Sequence, residues 1–144
     1  MNVSQVRKEL ANAVDTIPGV VCYGYYPDSV NVPCFFPADV ELDTNQSYGG
    51  YDKATITCLV LVSSADDKSG QKLLDELLSR TGPKSVRAAL NAARGEPGEY
   101  ALNGAADDFS IKRIQGYRKY KFGDEQAYFG AEIVVEVLGK NVGD

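Results

Sequence analysis

Histidine and tryptophan are absent from these 144 residues, methionine occurs once and cysteine three times. Without histidine the chain lacks the usual general base near neutral pH, the commonest metal ligand and the usual pH switch. Most hydrolase and zinc-site chemistries weaken on that ground alone. The cysteines, Cys22, Cys34 and Cys58, are odd in number and form no CxxC. They read as small buried hydrophobes in a reducing compartment, and a thiol nucleophile would have no histidine to activate it. No run of 18 apolar residues occurs, and Met1-Asn2-Val3-Ser4 lacks the charged-then-apolar pattern of a signal peptide. The expectation is therefore neither a membrane span nor signal-peptide secretion. Nucleotide, serine-hydrolase, zinc-protease and EF-hand motifs are missing as well, so the chain is not expected to be an enzyme or to carry a cofactor or metal.

What is present suits one globular domain over residues 1–144, with 44% hydrophobic and 24% charged residues. A chain of this size buries roughly two thirds of its surface on folding, enough for a core without staples. Fifteen Lys and Arg against 20 Asp and Glu leave a net charge of -5. Bulk attraction to nucleic acid is excluded by that sign, although a local basic patch is not.

Hydrophobic spacing sets the elements. Val3, Val6, Leu10, Val14 and Ile17 recur at helical intervals, and Pro18-Gly19 ends that helix; Ser4 would cap only a shortened form. Val20 to Tyr23 predicts a short strand. Cys34 to Leu42 predicts a second, placed at an edge or made irregular by Pro33 and Pro37. Lys53 to Ser63 is the clearest central strand, with Ile56, Cys58, Val60 and Val62 on one face and Thr55, Thr57, Leu59 and Leu61 on the other. That second face turns apolar at its end and is expected to need cover, by a neighbouring subunit if not by this chain. A helix follows from about Asp66 to Arg80. A third, Lys84 to Ala93, is opened by Pro83.

The chain ends in two long strands, about Phe109 to Phe122 and Glu125 to Leu138, joined by Gly123-Asp124 as a two-residue turn. Counting back from that turn sets Phe122 opposite Glu125, Tyr120 opposite Ala127, Arg118 opposite Phe129 and Ile114 opposite Ile133. Keeping Phe109 and Ile111 on the apolar face then requires one extra residue. The expected bulge puts Lys112 and Arg113 together against Val134, with Gln115-Gly116 as the competing site. The fold class is α+β: a mixed or mainly antiparallel sheet of four to five strands, two or three helices mainly on one face, and a terminal β-hairpin.

Two features suggest contact surfaces. Lys112, Arg113, Arg118, Lys119 and Lys121 crowd into ten positions with Tyr117, Tyr120 and Phe122. They read as a solvated face paired with Glu125, Glu132 or Glu136, as a protein interface, since Tyr and Arg serve well as anchors, or as a nucleic-acid contact, for which an acidic chain would have to concentrate its positive field there. Tyr48 and Tyr51 flank Gly49-Gly50, a bendable loop with amphipathic contact residues. Asp66-Asp67 and Asp107-Asp108 are better explained as element starts than as metal ligands.

Several segments carry a resemblance to a known family. They are Ile17-Pro18-Gly19-Val20, Tyr23-Gly24-Tyr25-Tyr26-Pro27-Asp28-Ser29-Val30, Pro37 to Leu42, Ile56 to Val62, Ser85-Val86-Arg87-Ala88-Ala89-Leu90, and Tyr128-Phe129-Gly130-Ala131-Glu132-Ile133-Val134-Val135-Glu136-Val137. Together they resemble the tail terminator proteins of long, non-contractile-tailed bacteriophages, especially those of actinobacterial hosts. The resemblance implies an α/β subunit that forms a six-membered ring at the virion's head–tail junction, assembled in the host cytoplasm. Such a ring caps the tail tube, with the tube protein on one face and the head–tail connector on the other. DNA passes through its lumen without sequence-specific binding, and no membrane is involved. A connector or stopper subunit of the same neck is the alternative. Candidate contact residues are Tyr48, Gly49, Gly50 and Tyr51 in the loop, and Lys112, Arg113, Lys119 and Tyr128 on the hairpin.

Overall fold

The computed structural model describes residues 1–43, 51–64, 67–95, 100–122 and 126–140. The chain runs α1 (Val3–Val14), β1 (Val21–Cys22), β2 (Cys34–Asp43), β3 (Tyr51–Ser63), α2 (Asp67–Leu78), α3 (Val86–Ala92), a single 3-10 turn at Leu102–Gly104, β4 (Asp108–Phe122) and β5 (Gln126–Lys140). It is an α+β fold. One five-stranded sheet has the order β1-β2-β3-β5-β4, antiparallel except for the short parallel pair β1-β2.

All three helices lie on one face of that sheet. Val6, Leu10 and Val14 of α1, Leu74 and Leu77 of α2, and Val86 and Leu90 of α3 close over Ile56, Cys58, Val60 and Val62 of β3 and Ile133, Val135 and Val137 of β5. The period-two reading of the central strand holds residue for residue: Leu59 and Leu61 join Cys34 and Phe36 in a second, smaller cluster. Asn2, not Ser4, caps α1, its side chain accepting from the Gln5 amide at 3.1 Å. The helix stops at Val14, and Ile17 remains buried in the turn beyond it. Pro83 does not open α3. Ser85 caps it instead, accepting from the Ala88 amide at 3.0 Å while its hydroxyl donates to the Ser79 carbonyl at 2.5 Å.

The second face has its own lid. Tyr23, Val30, Val32 and Ala38 pack onto Cys34, Phe36, Leu59 and Leu61. Tyr26 and Tyr23 meet the Phe36 ring edge-on at 5.2 and 6.3 Å. The expected neighbour is thus not needed at the apolar end, because the segment between β1 and β2 covers it. The rest of that face is mostly polar, with Val134 buried and Leu138 exposed among Thr55, Thr57, Glu132 and Glu136. β2 is irregular as expected, with its register shifting between Pro37 and Asp39. On the side away from β3 it is flanked by β1 only at Cys34 and Phe35, and along the rest of that side no strand among the described residues pairs with it.

Candidate assembly surface

β4 is the outer strand of the terminal hairpin, so among the described residues one of its sides is an open sheet edge. Its register breaks twice. Ile111 pairs with Val135 and Arg113 with Val134, leaving Lys112 as the extra residue; the bulge lies where the apolar pattern required it. A second shift sets Gly116 and Tyr117 between the pairs Gln115–Glu132 and Arg118–Gly130. Gly116 sits at φ 67°, in the left-handed region where a residue without Cβ is at ease.

The second bulge moves the outer half of the hairpin by one residue. Phe122 pairs with Gln126, Tyr120 with Tyr128 and Lys119 with Phe129, so the register expected at the tip is corrected. The turn residues Gly123 and Asp124, with Glu125, lie outside the described residues. In consequence Tyr120 turns to the second face and joins Tyr128 beside the smaller cluster. Lys119 turns to the helix face, its ammonium 5.1 Å from the centre of the Phe129 ring. Tyr117 also leans to the helix side and donates to the Asp75 carboxylate at 2.8 Å. Burial and that acceptor together push its phenol up to about 12.

Lys112 and Arg113 are exposed at the first bulge. Lys112 bonds Glu136 at 2.8 Å and Lys53 reaches the same carboxylate at 3.4 Å, so Glu136 bridges the two cations. The Lys112 hydrogen bond, seconded by Lys53, holds the Glu136 carboxyl below its ordinary range. Arg113 donates to Gln115 at 2.6 Å, which in turn donates to Glu132 at 3.0 Å. Arg118 stacks 4.4 Å from the centre of the Tyr120 ring. A hollow of about 370 Å³ opens beside the first bulge, lined by Arg87, Asn91 and Arg94 of the α3 region and by Lys112 and Arg113. Arg94 is held there by Asp108 at 3.1 Å.

Of the expected contact residues, then, Lys112 and Arg113 share one patch. Lys119 and Tyr128 lie on opposite faces of the hairpin. Tyr51 begins β3 opposite Lys140, and Tyr48, Gly49 and Gly50 lie outside the described residues. The reading of the sequence passed over Asp39, Glu41 and Asp43 of β2. Their period-two spacing was the available signal, since it sets three carboxylates on one face of a strand.

Elsewhere the chemistry is quiet. Burial pushes the Cys22, Cys34 and Cys58 thiols up to about 12, seconded at Cys22 by the Asp15 charge. No group of three or more metal-ligating side chains gathers among the described residues, and none of their helices is long and apolar enough to cross a membrane. An open groove of about 800 Å³ between α1 and the Leu102–Gly104 turn has Glu9 as its one charged side chain among the described residues. In comparisons with known proteins, no family model and no curated protein matches this chain.

Proposed function

We propose that this chain is a structural ring subunit of the tail-terminator type, acting at a phage head–tail junction. Copies close into a ring, six on the strength of the resemblance. The ring caps the finished tail tube, halts its growth and offers its opposite surface to the head-side connector. Termination in this scheme is geometric: one surface of the ring mimics the next layer of tube, and the other offers no further tube site. No reaction centre is needed.

The observation that carries the reading is the uncovered outer strand of the hairpin, fifteen residues long with five cations and a half-exposed tyrosine. A strand of that length with an unpaired edge is a ready template for another chain. The α+β subunit with helices on one face agrees with what the resemblance implies. The segments that carry the resemblance fall on the turn after α1, the lid over the second face, β2, β3, the capped start of α3, and β5.

Electron microscopy of particles made without this polypeptide tests the proposal. Overlong tail tubes support it. Tails of normal length that fail to join heads point to the connector or stopper subunit instead, and normal joined particles defeat both.

A further inference from the structure

The two edges of the sheet carry opposite charge. β2 beyond Phe35 has Asp39, Glu41 and Asp43 and no cation. β4, at the other end of the sheet, has Lys112, Arg113, Arg118, Lys119 and Lys121 against the single acid Asp108, which Arg94 already engages. No ion pair among the described residues involves Asp39, Glu41, Arg118, Lys119 or Lys121.

The faces match as well. Asp39, Glu41 and Asp43 pair with Thr57, Thr55 and Lys53, which puts them on the side of the sheet away from the helices. Arg113 and Arg118 pair with Val134 and Gly130 and occupy that same side, and Lys112 joins them by its bond to Glu136. On the helix side of the two edges stand Leu42, 51% exposed, and Tyr117, 45% exposed, with Lys119 and Lys121 farther along β4. A neighbour that prolongs the sheet with its helices on the same side therefore brings acids beside cations on one face, and on the other it sets Leu42 against an edge that carries Tyr117 as well as Lys119 and Lys121.

We propose that the acidic edge of β2 in one copy docks against the basic edge of β4 in the next. The six residues 38–43 span about 20 Å of strand, which β4 exceeds more than twofold. Charge on an exposed edge commonly guards against unwanted pairing, but that device works by like charges repelling between copies. Here the signs differ, so only one of the three edge pairings attracts. Acid against acid and base against base both repel, which rejects two-fold dimers and selects the head-to-tail contact. A head-to-tail contact closes into a ring when its rotation divides the circle, and extends as a filament when it does not. The inference rests on the ring reading above and names the surfaces that would close the ring.

The test uses two charge-reversed full-length variants, Asp39→Lys with Glu41→Lys, and Arg113→Glu with Arg118→Glu. Their mass is followed across a concentration series at low and high salt, with circular dichroism as the check on folding. The wild type associates at low salt and loosens at high salt. Each variant alone needs at least ~100-fold higher concentration to associate, because on the face away from the helices both its edges now carry the same net sign. Mixed in equal amounts the two associate again, since every contact in an alternating assembly regains opposite charges. That recovery separates charge pairing from a loss of fold. A wild type that stays monomeric at low salt overturns the edge contact, as does association undiminished in both variants or a mixture that stays dissociated. Tail length in particles lacking the protein is read independently, so the ring reading can survive the loss of this contact.

Discussion

Gly70 separates local preference from packing. It is the fourth residue of α2, and on helix propensity alone Gly70→Ala stabilises by about 1 kcal/mol. The structure reverses the sign. A Cβ there stands 2.3 Å from the Ser63 carbonyl oxygen and 3.3 Å from Cδ2 of Phe129. A carbon meets a carbonyl oxygen comfortably at about 3.3 Å, so the start of α2 must lift by about 1 Å from the end of β3. That movement loosens Leu74 and Leu77 over the sheet. Against backbone at so short a distance overpacking falls at the upper end of its usual range, roughly 2–3 kcal/mol, and after the propensity gain a net loss of about 1–2 remains. For a chain of this length the loss lowers Tm by roughly 3–8 °C. Thermal denaturation followed by circular dichroism reads it, with the exposed Lys72→Ala as a near-neutral control. A melting temperature that rises in Gly70→Ala refutes the close approach of α2 to β3.

The second bulge makes a parallel case: Gly116→Ala forces a side chain into φ 67° and within 2.5 Å of the Tyr120 hydroxyl. A loss of about 1–3 kcal/mol in urea unfolding is expected, and an unchanged midpoint contradicts the bulge. Glu136 titrates lower in the folded state than in the unfolded chain, so its bridge to Lys112 and Lys53 stabilises above the unfolded value and fades as pH falls through the folded one. Glu136→Gln should therefore cost about 0.5–1 kcal/mol at neutral pH and progressively less in acid. A difference independent of pH would speak against the bridge. Finally, the three thiols, raised to about 12 by burial, should react slowly with a thiol reagent at mildly alkaline pH and rapidly once the chain unfolds. Fast reaction of more than one thiol in the native protein would mean that Cys34 and Cys58 are not both in the core, since Cys22 is only partly buried.

Periodicity carried most of the fold. Alternation in β3 sorted eight side chains onto two faces correctly, and the need to keep Phe109 and Ile111 buried located the bulge at Lys112. The tip register failed for a physical reason. The count back from the turn admitted a single bulge, whereas the strand accommodates one at Lys112 and another at Gly116, and each extra residue exchanges the faces beyond it. That exchange carries Tyr120 to Tyr128 and Lys119 to Phe129. The lid over Phe36 was hidden because a turn-rich segment has no period to read, so nothing in Tyr23 to Val32 announced which face it covers. The acidic edge was legible in the alternation Asp39, Glu41, Asp43. Its meaning depended on sheet order, which puts β2 and β4 on opposite margins.

The central claim is that copies of this chain join head to tail through unlike edges and close on themselves. Electron microscopy of the low-salt assembly, paired with its native mass, tests that most directly. Closed rings of one fixed copy number are predicted. Two-fold dimers, or open filaments of unbounded length, would contradict it.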